Sequence, residues 1–141
     1  MKQLTLLALA LGSLVAACNS QKNTQFRLNE SFMLRIGHTA EWQEDPRIQI
    51  RFASVTEDSR CPQNIQCVWA GRAIMAITLI ENDKTKSSAL IMGEPAGTGY
   101  SKFAQLGDLT VELMQILPHP TASLKIDPER YVMELEIRKE E

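Results

Sequence analysis

The chain has 141 residues, a formal net charge of -2, 44% hydrophobic residues and 23% charged residues. That length suits one compact domain. The near-neutral balance excludes a largely disordered chain and the strongly basic face of a nucleic-acid binder, so we expect one hydrophobic core and no nucleic-acid partner.

Residues 1–17 read as a secretory signal, because Lys2 precedes an apolar run from Leu4 to Ala17 that ends in small residues. As a helix this run would span about 21 Å, short of the roughly 30 Å hydrocarbon core of a bilayer, which disfavours a spanning role. It closes on Leu14-Val15-Ala16-Ala17-Cys18, which resembles the lipobox of bacterial lipoproteins. Small side chains let a peptidase approach the backbone, and the thiol is the group that takes the lipid. We therefore expect lipidation at Cys18, a membrane partner through that lipid, and residence in the bacterial cell envelope, at the outer membrane if the source is Gram-negative. Residues 18–25, polar and without an apolar period, read as a flexible tether of about 15 Å root-mean-square reach.

Residues 26–141 read as a single β-sandwich domain. Phe32, Leu34 and Ile36 alternate with Met33 and Arg35, and Ile48, Ile50 and Phe52 alternate with Gln49 and Arg51, the period of half-buried strands. Ala73 to Ile80 is apolar on both faces and predicts a central strand covered on both sides. Leu109, Val111 and Leu113 form another alternating set, and Tyr131, Met133, Leu135 and Ile137 form the last. Weaker strands are predicted at Thr39 to Trp42, Ser87 to Met92 and Leu124 to Ile126. Gly93 to Asp108 is the longest segment without a clear period and reads as a loop or connector. Short turns carrying Pro, Gly, Asn and Asp separate the strands and leave no convincing helix. The fold class expected is all-β, an antiparallel two-sheet sandwich for which an immunoglobulin-like topology is one arrangement, with a small β-barrel as the alternative.

The least ordinary composition lies between the strands ending near Val55 and beginning near Ala73, where Asp58-Ser59-Arg60-Cys61-Pro62 is followed by Cys67-Val68-Trp69-Ala70-Gly71. With the lipobox and the closing strand, this segment resembles a group of small, uncharacterised bacterial lipoproteins and exported proteins with a D-S-R-C-P…C-x-W-A-G signature. The resemblance spans most of the mature domain and implies an exported β-rich module without an assigned activity. Read physically, lipidation of Cys18 leaves Cys61 and Cys67 as one pair in an oxidising compartment, and a disulfide is expected. Pro62 and Asn64 suit the turn inside that ring, Trp69 offers an apolar body beside it, and Gly71 permits a bulge or a close approach. Asp58 can accept bonds from nearby N–H groups or pair with Arg60. The segment reads first as a stapled crossover, and secondly as a candidate binding loop built from Asp58, Arg60 and Trp69.

Other chemistry finds little footing in the sequence. Five residues separate Cys61 and Cys67 and no helix follows, unlike a redox Cys-x-x-Cys. His38 and His119 stand in separate segments, so neither a zinc set nor a nucleophile-His-acid pattern is visible. Met33, Met75, Met92, Met114 and Met133 lack metal-motif spacing and suit core filling. Glu44-Asp45, Glu57-Asp58 and Glu140-Glu141 read as solvated charge. No metal, cofactor or catalytic residue is assigned. The function expected is a non-catalytic accessory or binding lipoprotein with an envelope protein or glycan as partner. The alternatives are an enzyme whose loops bring Asp58, Arg60 and a histidine together, or a weak metal-binding envelope protein.

Overall fold

A computed structural model of the protein describes residues 24–123 and 125–140. Cys18 and the whole of residues 1–17 lie outside the described residues. Among the described residues nine strands form: β1 (Thr24–Phe26), β2 (Ser31–Arg35), β3 (Thr39–Trp42), β4 (Ile48–Asp58), β5 (Arg72–Glu81), β6 (Lys84–Gly93), β7 (Phe103–Leu106), β8 (Leu109–Leu117) and β9 (Val132–Lys139). A 3-10 turn, Pro128–Arg130, precedes β9, and no α-helix occurs among the described residues.

The strands make two sheets, ordered β1-β3-β4-β5-β6 and β2-β9-β8-β7. All pairings are antiparallel except β1 with β3. Each sheet keeps its own edges, so the molecule is a sandwich and the small-barrel alternative falls away. Immunoglobulin domains distribute consecutive strands between their sheets differently. Here β3 to β6 stay together as a four-strand meander, and the sandwich is reached by another connectivity. The tight β5–β6 hairpin rests on Asn82 and Asp83, both at positive φ (48° and 64°), the geometry that suits the right-handed twist of the paired strands.

Period-two patterning places the core. Leu34, Ile50, Phe52, Met75, Ile77, Leu79, Leu90, Leu113, Met133 and Leu135 are all shielded from solvent between the sheets. Phe26 joins them and stacks on Phe32 at 5.2 Å between ring centroids. Met75 and Met133 are thus core residues, whereas Met33 and Met114 are exposed on the outside.

Four expectations need correction. Thr24 and Gln25, read as the end of the tether, are the first residues of β1, where parallel pairing with Ala40 and Glu41 holds them. Lys125 and Ile126 belong to no strand, and Leu124 lies outside the described residues. The Gly93 to Asp108 segment contains β7, whose Ala104 and Leu106 are buried while Phe103 and Gln105 face out. Its four residues are too few to show a period beside the glycines. Finally, β5 is central within its sheet, but its outer face is covered only near its start, where Ile74 is buried. Ala73, Met75, Ile77 and Leu79 are buried inside, whereas Ala76, Thr78 and Ile80 on the outer face are only half-buried. Ala, Thr and Ile tolerate such a surface, so their apolar character overstated the cover.

Candidate functional site, the stapled end

The segment singled out by its composition is built at one end of the sandwich, where β4 stops, β5 starts, β8 stops and the chain turns into β9. Two register shifts in β4 prepare it, one between Phe52 and Ser54 and one between Val55 and Glu57. Each leaves an extra residue unpaired and turns the strand. The first brings Val55 rather than Ser54 opposite core residue Met75. The second leaves Asp58 opposite Ala73, on the inner side of the sheet.

An aspartate delivered inward requires partners, because a carboxylate taken out of water is costly unless it is paired and hydrogen-bonded. Arg60 supplies them from two residues away. Its Nε donates to Asp58 Oδ1 at 2.8 Å, its Nη2 to Oδ2 at 2.7 Å, and its backbone N–H to Oδ1 at 3.3 Å. Tyr131, 73 residues further on, donates its hydroxyl to Oδ2 at 2.8 Å. Arg60 spends its remaining reach on the end of β8, where Nη1 donates to Ile116 O at 2.7 Å and Nη2 to Pro118 O at 2.8 Å. The side chains of Arg60 and Asp58 keep 7% and 9% of their exposure. This cluster therefore joins the two sheets, with Asp58 from one and Tyr131 and the β8 carbonyls from the other.

The electrostatics follow from that environment. Burial pushes the Asp58 carboxyl up, but the Arg60 and Tyr131 hydrogen bonds and the guanidinium charge outweigh it and hold the group below its ordinary value. Burial, reinforced by the neighbouring Asp58 carboxylate, pushes the Tyr131 phenol up to about 12. Asp58 is thus a charged acceptor and Tyr131 a neutral donor over the ordinary range of pH.

Cys61 and Cys67 form a disulfide, with 5.9 Å between their Cα atoms. The ring is fastened beneath by Cys61 N–H donating to Ala70 O at 2.9 Å. Gly71 is required there. Its φ is +73°, and a Cβ added to it would lie 1.9 Å from Ser59 O, so only glycine lets the two arms of the loop approach. The ring also leans on the segment after β8: Gln63 N–H donates to Pro120 O at 2.9 Å, and the Cys61 carbonyl accepts from His119 Nε2 at 3.0 Å.

Asp58 and Arg60 therefore come together, but Trp69 does not join them. It is exposed on the outside of the ring, and the expected binding loop of Asp58, Arg60 and Trp69 separates into a buried brace and a surface tip. The histidines do not complete a catalytic set either. His119 is bound to the Cys61 carbonyl, and His38 lines a different groove, beside Arg35 and Glu129. A neighbouring groove of about 520 Å³ does include Asp58, Tyr131, Val55, Ile36, Pro120 and Lys125, but both acidic oxygens are already occupied by Arg60 and Tyr131. Among the described residues no group of three or more His, Cys, Asp and Glu is arranged to hold a metal ion.

Two polar networks escaped the sequence reading. Glu112, 7% exposed on the outer face of β8, is held by Lys102 Nζ at 2.7 Å and Arg138 Nη1 at 2.9 Å. Glu57 pairs with Arg72 across the mouth of the loop at 2.8 Å. The role of Tyr131 was also missed. Its place at the head of an alternating strand announced burial, but nothing local announced a hydroxyl partner 73 residues earlier. Comparison with protein families, curated proteins and solved structures finds no match to this chain.

Proposed function

We propose that this protein is a lipid-anchored lipoprotein of the bacterial envelope whose β-sandwich serves as a non-catalytic accessory or binding module for an envelope protein or glycan. The observation that carries the anchor is the apolar run ending in Val15-Ala16-Ala17-Cys18. The oxidised Cys61–Cys67 pair accords with an exported chain, since such bonds persist in oxidising compartments. The geometry of the stapled end favours a scaffold over catalysis: Asp58, Arg60 and Tyr131, the best candidates for chemistry, spend their polar atoms on one another and on backbone carbonyls. A likeness to the exported group with the D-S-R-C-P…C-x-W-A-G signature is part of the same reading.

The test is replacement of Cys18 with Ser. The variant should leave the membrane fraction and lack the acyl mass carried by the parent, while cross-linking of intact envelopes carrying the parent should recover a protein or glycan on the folded domain. A Cys18→Ser variant still extracted only by detergent, with the parent showing no acyl mass, would overturn the lipid anchor.

A further inference from the structure

The tip of the stapled end differs from the rest of the surface. Residues 61–71 contain no Asp, Glu, Lys or Arg, and neither do residues 113–123, in a chain that is 23% charged. The fold brings these two stretches together through the parallel bridge of Gln63 with Thr121 and the His119 bond to Cys61 O. On this support Val68 is fully exposed, and Trp69 and Ile65 retain 53% and 47% of their exposure. The disulfide, the Cys61–Ala70 bond and the tight passage at Gly71 fix the backbone beneath them. Large apolar side chains held outward on a braced, uncharged loop mark a surface that meets an apolar phase.

We propose that this tip docks into the boundary between headgroups and acyl chains of the bilayer that carries the chain's own lipid. The inference rests on the anchor at Cys18 proposed above, and the anchor's reach argues for the bilayer as the occupant. Thr24 lies opposite Ala40, which lies opposite Ile50, and Asp58 stands eight residues beyond Ile50 on β4. Because β1 runs antiparallel to β4, its N-terminal end faces the stapled end. Eight strand residues rise about 26 Å, and less where bulges shorten them. The six steps from Cys18 to Thr24 reach at most about 20 to 22 Å. A tether drawn out to its full length therefore brings a lipid on Cys18 nearly level with Asp58, and the bilayer surface close to the tip. Trp is the residue that settles at such a boundary, with Val68 and Ile65 supplying apolar area. Lys125 lies on the adjoining groove beside Pro120, positioned for an anionic headgroup. Docking would turn a loose tether into a fixed orientation, with the charged hairpin of Asn82 and Asp83 facing away from the membrane.

The experiment uses the lipoprotein purified with its lipid and reconstituted in phosphatidylcholine–phosphatidylglycerol vesicles whose acyl chains carry bromine, a short-range quencher of indole emission. The Trp69→Phe variant supplies the background from Trp42, and mass spectrometry of the same sample reports the acyl group. Trp69 emission should shift to the blue and lose most of its intensity in brominated vesicles, and Val68→Glu should restore much of it. With the acyl mass present, Trp69 emission that stays solvent-like and unquenched overturns the docking and leaves the anchor standing; it is the result expected if the tip instead awaits a protein. Absence of the acyl mass overturns the anchor and the docking with it.

Discussion

Asp45-Pro46-Arg47 and Asp58-Ser59-Arg60 are one device placed in two settings. In each, the arginine Nε and Nη2 grip the two carboxylate oxygens of an aspartate two residues earlier, and the arginine N–H also donates to Oδ1. The three distances are 2.8, 2.8 and 3.2 Å in the first and 2.8, 2.7 and 3.3 Å in the second. The settings differ in solvent and in company. Arg47 and Asp45 keep 71% and 27% side-chain exposure in a turn, whereas Arg60 and Asp58 keep 7% and 9% between two sheets. The inner pair also recruits Tyr131 and the carbonyls of Ile116 and Pro118. Pair geometry therefore says little about what a salt bridge contributes. Water competes for the outer pair and leaves it close to neutral, while the inner pair is held by the partners that compensate its burial.

The sharpest way to break that comparison is to remove the arginine from each. Arg60→Met leaves the Asp58 carboxylate buried without its cation, with only the Tyr131 hydroxyl and the backbone N–H of residue 60 as donors, and frees two carbonyls of the β8 end, so we expect a loss of about 3 to 5 kcal/mol in urea unfolding. Arg47→Met should leave the midpoint essentially unchanged. Equal shifts for the two variants would show that burial is not what separates them.

The next largest effect belongs to the staple that fastens the residue after Arg60. Changing Cys61 and Cys67 to Ser should cost about 2 to 3 kcal/mol, since closing a ring of this length restricts the unfolded chain by roughly that amount. Arg60 and Cys61 are adjacent and hold the same loop against the same β8 end, so the triple variant should lose less than the sum of its parts. Strict additivity in thermal melts would mean that the brace and the staple hold independent regions.

Much of this end of the molecule was legible in the sequence, and the rest was not for definable reasons. The Asp58–Arg60 and Cys61–Cys67 pairings and the close approach at Gly71 are short in sequence, and residue type with spacing was enough to expect them. The alternating strands announced the sandwich for the same reason. Asp58 facing inward was hidden, because the two β4 bulges break the alternation after Phe52 and a strand with a lost period reads as a strand that has ended. Tyr131 and the Ile116 and Pro118 carbonyls come from the other sheet, and a contact across 56 to 73 residues leaves no local pattern. Trp69 was read as an apolar body beside the ring, and residue type with spacing could not say that it stands outward, apart from Asp58 and Arg60.

The smallest effect, and the most discriminating, comes from Tyr131→Phe, which removes one oxygen and leaves the aromatic ring in the core. Its hydrogen bond goes to a charged acceptor, so the loss should be about 1 to 2 kcal/mol near neutral pH. The pH dependence identifies the source. Burial and the Asp58 carboxylate raise the Tyr131 phenol from about 10 in the unfolded chain to about 12 in the fold. The folded state thus holds that proton more tightly, and the stabilisation is full below about pH 10 and disappears as pH rises through about 12. The Phe variant should lack this alkaline loss. Asp58 runs the other way. Burial raises its carboxyl, the Arg60 and Tyr131 hydrogen bonds together with the Arg60 charge lower it further than that, and the net lowering makes its contribution full above about 3.9 and lost as pH falls through the lower folded value. Without the Tyr131 hydroxyl one of the groups that lowers Asp58 is gone, so the variant should lose its acid stability at a higher pH than the parent while Arg60 still holds part of the shift. Asp45 is also lowered, first by its bond from Arg47, but it has no contact with Tyr131 and cannot respond. The difference between parent and Phe variant along both limbs therefore reports on the inner pair, since the other lowered carboxylates are common to both, and a Phe variant whose acid and alkaline limbs overlay those of the parent would sever Tyr131 from the brace.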